Sequence, residues 1–259
     1  MINLLSGPSG NFADPAVSPE GPRETEPLAP EIRERNEQLV DAYASELYDA
    51  PADAILEWAH GNAPGPLVVT LSMENTVLAE LAERHLPDAD FLFLDTEYHF
   101  PETLNVADEV ENRYPAHTLV RTKAVLSREE QDRTYGPNLY RSHPEACCRM
   151  RKVEPLAVHM SPYVGWITGL RRADGPTRAN APALSLDATG RLKISPLVTW
   201  SLEETDEFEE SHNLIIHPLT RQGYPSIGCA TCTMPVAEGE DPRAGRWAFS
   251  AKTECGLHE

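Results

Sequence analysis

The spacing of apolar positions is helical up to about residue 60 and then alternates between strand-like runs and helical stretches. Leu39, Ala42, Tyr43 and Leu47, followed by Ile55, Leu56 and Ala59, predict two helices between residues 31 and 60, broken at Pro51. Leu67-Val-Val-Thr-Leu-Ser72, preceded by the turn-like Gly61-Asn-Ala-Pro-Gly-Pro66, reads as a short buried strand. Glu74 to His85 is helical in the spacing of Val77, Leu78 and Leu81. Phe91-Leu-Phe-Leu-Asp95 is a second buried strand, Pro101 opens a helix through Tyr114, and His117-Thr-Leu-Val-Arg121 is a third strand. This alternation predicts an α/β fold: a Rossmann-like parallel sheet with right-handed crossovers and helices on both faces. Ligands of such sheets bind beyond the carboxyl ends of the strands, which here carry Ser72, Asp95-Thr96 and Arg121-Thr122.

A linking stretch from Ser127 to Ala146 is expected next, then a helix from about Cys147 to Leu156. Tyr163 to Gly169 reads as a further strand that delivers Leu170-Arg-Arg172 to the same mouth. Ala183 to Pro196 predicts a hairpin turning at Asp187-Ala-Thr-Gly190, and residues 201–210 predict an acidic helix. From His217 onward, Gly and Pro are frequent and regular structure is not expected. The resulting division is a disordered, acidic, Pro-rich tail over 1–30, a catalytic α/β unit over 31–216, and a C-terminal lid over 217–259.

Charge narrows the class of partner. The 259 residues carry a formal charge of −19, which argues against a nucleic-acid ligand, because phosphate neutralisation needs clustered cations. Yet Arg149, Arg151, Lys152, Arg171, Arg172 and Arg178 fall within thirty residues that hold only two acids, Glu154 and Asp174. A basic patch on an acidic chain suits a small anionic ligand. No apolar run approaches the ~20 residues needed to cross a bilayer. The N-terminus also lacks the basic and apolar segments of a secretion signal, so a cytoplasmic protein is expected.

In that compartment five cysteines point to metal or redox chemistry rather than disulfides. Cys147 and Cys148 are adjacent, and Cys229-Ala-Thr-Cys232 is a second close pair about eighty residues on. Cys255 stands apart near the C-terminus. Zinc sites space their ligands by two to four residues, so the adjacent pair disfavours zinc, and four cysteines suit a [4Fe–4S] cluster. Neighbouring side chains on a helix diverge by about a quarter turn, so Cys147 and Cys148 can share a cluster only if constrained. Cys255, on a terminal segment free to swing, is the candidate nucleophile. Between strand and helix, Ser72-Met-Glu-Asn-Thr76 can bind an anion through the Ser72 and Thr76 hydroxyls and helix N–H groups, although alone it also reads as an ordinary helix cap. Asp95 and Thr96 are candidate contacts to a ribose or base.

Several runs together resemble one family. They are Gln131-Asp-x-x-Tyr-Gly-x-x-Leu-Tyr140, Cys147-Cys-x-x-Arg-Lys-Val-Glu-Pro-Leu156, Gly165-Trp-Ile-Thr-Gly-Leu-Arg-Arg172, Tyr224-Pro-Ser-Ile-Gly-Cys-Ala-Thr-Cys232, Gly239-Glu-Asp-Pro-Arg-Ala-Gly-Arg-Trp247 and Glu254-Cys-Gly-Leu-His258. The chain resembles the iron–sulfur adenylyl-sulfate (APS) reductases of assimilatory sulfate reduction, within the APS/PAPS reductase family. The resemblance implies a fold of the PP-loop, adenine nucleotide alpha hydrolase-like type. It implies reduction of APS to sulfite and AMP for cysteine biosynthesis, with electrons from thioredoxin or a glutaredoxin-like donor and an S-sulfocysteine intermediate on Cys255. It also implies a [4Fe–4S] cluster on Cys147, Cys148, Cys229 and Cys232, and a homo-oligomer. Lys152 would lie between cluster and substrate, Arg171 or its neighbour Arg172 would grip the substrate's oxygens with Arg243 and Arg246, and His258 completes the terminal motif. Two positions depart from the family pattern: the Ser72–Thr76 loop, and Glu97, where glycine is frequent. Rival readings are a PAPS or dual-substrate reductase, a non-catalytic iron–sulfur or zinc sensor, and a tRNA thiolase of the same fold.

Overall fold

The computed structural model describes Ala13 and residues 27–257, so most of the expected 1–30 tail, and His258, lie outside the described residues. Helices α1 (Pro30–Leu47) and α2 (Ala52–Asn62) lead into an alternation of β1 (Leu67–Thr70), α3 (Val77–His85), β2 (Asp90–Asp95), α4 (Pro101–Arg113) and β3 (Leu119–Lys123). The stretch expected to be a link contains α5 (Arg128–Tyr135), α6 (Leu139–Ser142) and α7 (Pro144–Cys148). These helices are short and bury few side chains, so they leave little apolar periodicity. The readable signal was the capping box, in which the Ser127 hydroxyl accepts the Glu130 N–H and the Glu130 carboxylate accepts that of Ser127. After α8 (Glu154–His159) come β4 (Gly165–Thr168), the hairpin β5 (Leu184–Leu186) and β6 (Leu192–Ile194), and α9 (Leu202–Ser211).

The six strands are ordered β3-β2-β1-β4-β6-β5, all parallel except the edge strand β5. Alternation along each strand separates two apolar faces. Val69, Phe91, Phe93 and Ile167 face the main core with residues of α1 to α4, whereas Val68, Leu92 and Trp166 face Met160, Tyr163 and Leu156. Gly165 opens β4 because a Cβ there would lie 2.7 Å from the Leu192 Cβ.

β3 starts two residues later than its apolar run suggested. His117 belongs to the preceding turn, where its ring stacks on Phe91 at 4.2 Å and pairs with the Ala89 carbonyl. Arg121 therefore lies within the strand, paired with Asp108 and Glu111 of α4, and not at a mouth. From His217 the described chain holds two single 3-10 turns and lies against the sheet's carboxyl edge. No helix among the described residues is long and apolar enough to cross a membrane.

One buried amide ties α1 to the sheet: Asn36 Nδ2 donates to the carbonyls of Val164 and Gly190 at 3.0 and 2.9 Å. Asn36→Ala removes both bonds, leaving the Val164 carbonyl with only the Leu192 N–H, and should cost about 2 kcal/mol in urea unfolding. A loss below about 0.5 kcal/mol, the range of neutral surface changes, would contradict this role for α1.

Candidate active site

The chain turns back on itself between β1 and β4: β2 and β3 extend the sheet on one side of β1, and β4 lies on the other. At this switch point a cleft, partly open to solvent, is lined by Thr70 at the end of β1 and Ser72 beyond it, Thr96 after β2, and Thr168 at the end of β4 with Gly169 to Arg171 beyond it. Pro225 to Gly228, Arg243, Arg246, Cys255 and Leu257 of the C-terminal segment cover it.

Ser72 is exposed at the rim, on a loop where Met73 adopts φ 63°. Thr76 is not part of the lining. Its buried hydroxyl exchanges hydrogen bonds with both the carbonyl and the N–H of Ile215, so it anchors the chain after α9. Asp95 is likewise turned to structure, accepting the Glu97 N–H at 2.9 Å and pairing with Lys123. Arg171 enters the cleft wall, but its three side-chain nitrogens contact Asp174 and the Thr205 hydroxyl. Arg172 points away: it pairs with Asp49 at 2.6 Å, donates to Tyr48 and Ala181, and stacks over the Tyr48 ring. Arg243 and Arg246 both line the cleft, Arg246 lying so close over Gly228 that a Cβ there would be 2.2 Å from its guanidinium. Glu74, Asp174 and Arg178 also line it and were not among the sequence candidates, although Arg178 belonged to the basic patch.

Beside the cleft lies a second, small cavity whose walls include Cys147, Cys148, Cys229 and Cys232. The adjacent cysteines end α7, and a π-helical turn, Arg149–Val153, separates them from α8. Cys147 packs with Tyr135, Leu139 and Met150, Cys148 with Tyr98 and Trp247, yet both reach this cavity. The other pair is pinned by the Ala230 N–H to Tyr98 O and the Trp247 N–H to Cys232 O, while the Thr96 hydroxyl sits 3.3 Å from Cys229 Sγ. Burial pushes the Cys147 and Cys232 thiols up and that of Cys148 up to about 11. They are thus protonated at neutral pH unless a metal displaces the proton.

Arg151 forms another wall. Its side chain is 1% exposed, pairs with Glu97 at 2.6 Å and donates to Gln131, and its buried Nη2 has no hydrogen-bond partner among the described residues. Lys152 lines both the cavity and the cleft. Although burial works against its charge, the surrounding cysteine sulfurs, Cys229 and Cys255 foremost, raise its pKa. Cys255 is half-buried, lines the cleft and packs against the group formed by Cys148, Cys229, Cys232 and Trp247.

A model of the phosphoadenosine phosphosulfate reductase domain matches residues 66–235. The chain belongs to this family. It is 45% identical to the adenosine 5′-phosphosulfate reductase of Mycolicibacterium smegmatis, over 85% of this chain and 94% of that one. It is 46% identical to the enzyme of the same name from Streptomyces coelicolor, over 85% and 93%. Among solved structures, the phosphoadenylyl-sulfate reductase of Candida auris superposes with a TM-score of 0.61 at 25% identity, over 82% of this chain and all of that one. The fold the chain shares with that structure accounts for the α/β sheet.

Four thiols lining one small cavity are a donor set of the kind a [4Fe–4S] cluster takes. Among the described residues no group of three or more His, Cys, Asp or Glu side chains is placed to hold a metal ion. The unpartnered Arg151 Nη2 is a donor suited to an anionic group there.

Behind the cleft, α9 turns Thr205 and Glu209 inward. Burial, together with the Asp206 and Glu74 carboxylates, raises the Glu209 pKa to about 7, with Arg171 and Arg221 opposing. The folded state then holds a proton that the unfolded chain has released, so stability falls as pH rises from the ordinary value of 4.5 to about 7. Glu209→Gln should flatten that part of a Tm–pH profile and raise Tm at pH 8; an unaltered slope would remove Glu209 as its source.

Proposed function

We propose that this chain reduces adenosine 5′-phosphosulfate to sulfite and AMP, with Cys255 as nucleophile. One observation carries the reading: Lys152 lines both the cleft and the four-cysteine cavity, and Cys255 packs where the two meet. The naming of the relatives as adenosine 5′-phosphosulfate reductases adds support. The adenosine would sit at the β1/β4 switch point, near Ser72 and Thr96. The phosphosulfate would be held by Lys152, Arg243 and Arg246, with Arg243 and Arg246 supplying forked hydrogen bonds. Arg171, with its nitrogens committed to Asp174 and Thr205, shapes the wall instead.

The Cys255 thiolate attacks the sulfur of the substrate. The bond from that sulfur to the phosphate oxygen breaks, and AMP leaves with the electron pair, its charge held by the same cations. The enzyme is left with S-sulfocysteine at Cys255. A dithiol protein of the thioredoxin or glutaredoxin class then attacks Cys255 Sγ, sulfite departs with the electron pair, and the donor's second thiol resolves the mixed disulfide. The donor is oxidised by two electrons and the substrate sulfur is reduced by two. A [4Fe–4S] cluster on Cys147, Cys148, Cys229 and Cys232 would supply electrostatic organisation beside the substrate. Lys152 would hold its charge between the cysteines and the phosphosulfate.

Sulfite release by anaerobically purified protein with thioredoxin tests the reaction. Product from APS and none from PAPS, abolished in Cys255→Ser, is expected. Equal turnover of PAPS would make the chain a dual-substrate enzyme, and no sulfite from either would leave the sensor reading. The cluster is tested separately by iron and sulfide analysis. Cys229→Ser should lower iron per chain severely while Cys255→Ser retains it; equal iron in both would remove Cys229 from the ligand set.

A further inference from the structure

We propose that Glu254 and Arg178 form a dock that seats the C-terminal tail, so that Cys255 is positioned by an ion pair on its neighbour. The inference rests on reading Cys255 as the nucleophile. No helix or strand runs through residues 251–257, so side-chain contacts must hold the tail. Glu254 has the densest set. Its Oε1 accepts from Arg178 Nε at 3.0 Å and the Thr177 hydroxyl at 3.1 Å, and its Oε2 from Arg178 Nη2 at 2.8 Å and Arg243 Nη2 at 3.2 Å.

The dock is braced from behind. The remaining Arg178 nitrogen, Nη1, pairs with Asp174 at 3.1 Å, Asp174 accepts from Arg171 Nε and N–H, and Arg171 donates to Thr205 of α9. Opposite charges alternate from the helix to the tail, and the bidentate Arg178–Glu254 pair is the last link. Both of its side chains are shielded, at 12% and 16% exposure, so water screens the pair less than an open surface bridge. Burial would raise the Glu254 carboxyl, but Arg178 and Arg243 hold it at about 2, so it stays ionised in neutral solution.

An ionic dock suits the two tasks of Cys255. For attack the thiol must stay beside Lys152 in the cleft. For reduction it must meet a protein that the cleft cannot admit, so the tail has to leave and return each cycle. When a polar latch opens, water solvates both of its charges, which eases release.

Alkylation of Cys255 by iodoacetamide in the full chain, read peptide by peptide so that the other cysteines are distinguished, tests the dock without any turnover. Loss of a charge-assisted bidentate bond should raise the Cys255 rate on the order of tenfold in Glu254→Gln, a change too near the terminus to unfold the core. Arg178→Gln should act similarly and the double variant no more than Glu254→Gln alone, the signature of one shared interaction. In Glu254→Gln, kcat should fall while AMP affinity, measured at equilibrium, is retained, and Glu254→Asp should recover part of the protection. An unchanged alkylation rate, additive effects, or weakened AMP binding in Glu254→Gln would overturn the dock. Faster alkylation combined with sulfite release that survives Cys255→Ser would support the dock and overturn the nucleophile.

Discussion

The parallel pairing of β1 with β2 on one edge and β4 on the other is the constraint on which the rest depends. Because the chain leaves β1 in one direction and returns on the other side, the loops after β1 and β4 part and open the cleft. Each wall then receives its chemistry from the residues that follow a strand: Ser72 after β1, Thr96 after β2, and Gly169 to Arg171 after β4. The segment after residue 217 needs no regular structure of its own, since the sheet edge supplies a floor and hydrogen bonds from Glu74 and Tyr98 fix it. Glu74 accepts the N–H groups of His217 and Ile227, and Tyr98 that of Ala230.

Within an acidic chain, the arginines near the cleft do two kinds of work. Arg171 and Arg178 are bonded to acidic partners and build the wall and the tail's seat. Arg246 instead lies against backbone and aromatic surface, over the Trp247 ring, and Lys152 among sulfurs. Burial makes the distinction matter, because a cation away from bulk water acts more strongly on the next anion that arrives.

The wall between the two cavities contains a local cost. Glu97 adopts φ 59°, a left-handed conformation that glycine takes more easily. Its carboxylate meets the buried Arg151 guanidinium there, whose other side-chain partners, Gln131 and the Tyr98 ring, are neutral. The departure from a frequent glycine at this position therefore has a structural counterpart in the ion pair beside the cysteines.

By itself the sequence determined the strands with continuous apolar runs, the break at Pro51, the hairpin at Asp187–Gly190 and the pairing of cysteines. These signals come from local periodicity, turn chemistry or residue type, which need no knowledge of neighbours. It also marked Lys152, Arg243, Arg246 and Cys255, which the fold brings to one cleft. It did not reveal α5 to α7, whose few buried residues leave no period, nor the start of β3, which stacking of His117 on Phe91 decides. Nor could it separate Arg171 from Arg172. Successive residues after a strand point to opposite sides, and only the packed sheet decides which side is the cleft. Thr76, Asp95 and Arg178 fall under the same limit. Whether a polar side chain faces a ligand or a protein partner depends on segments far away in the chain, here Ile215, Lys123 and Glu254, and only the tertiary structure brings those together.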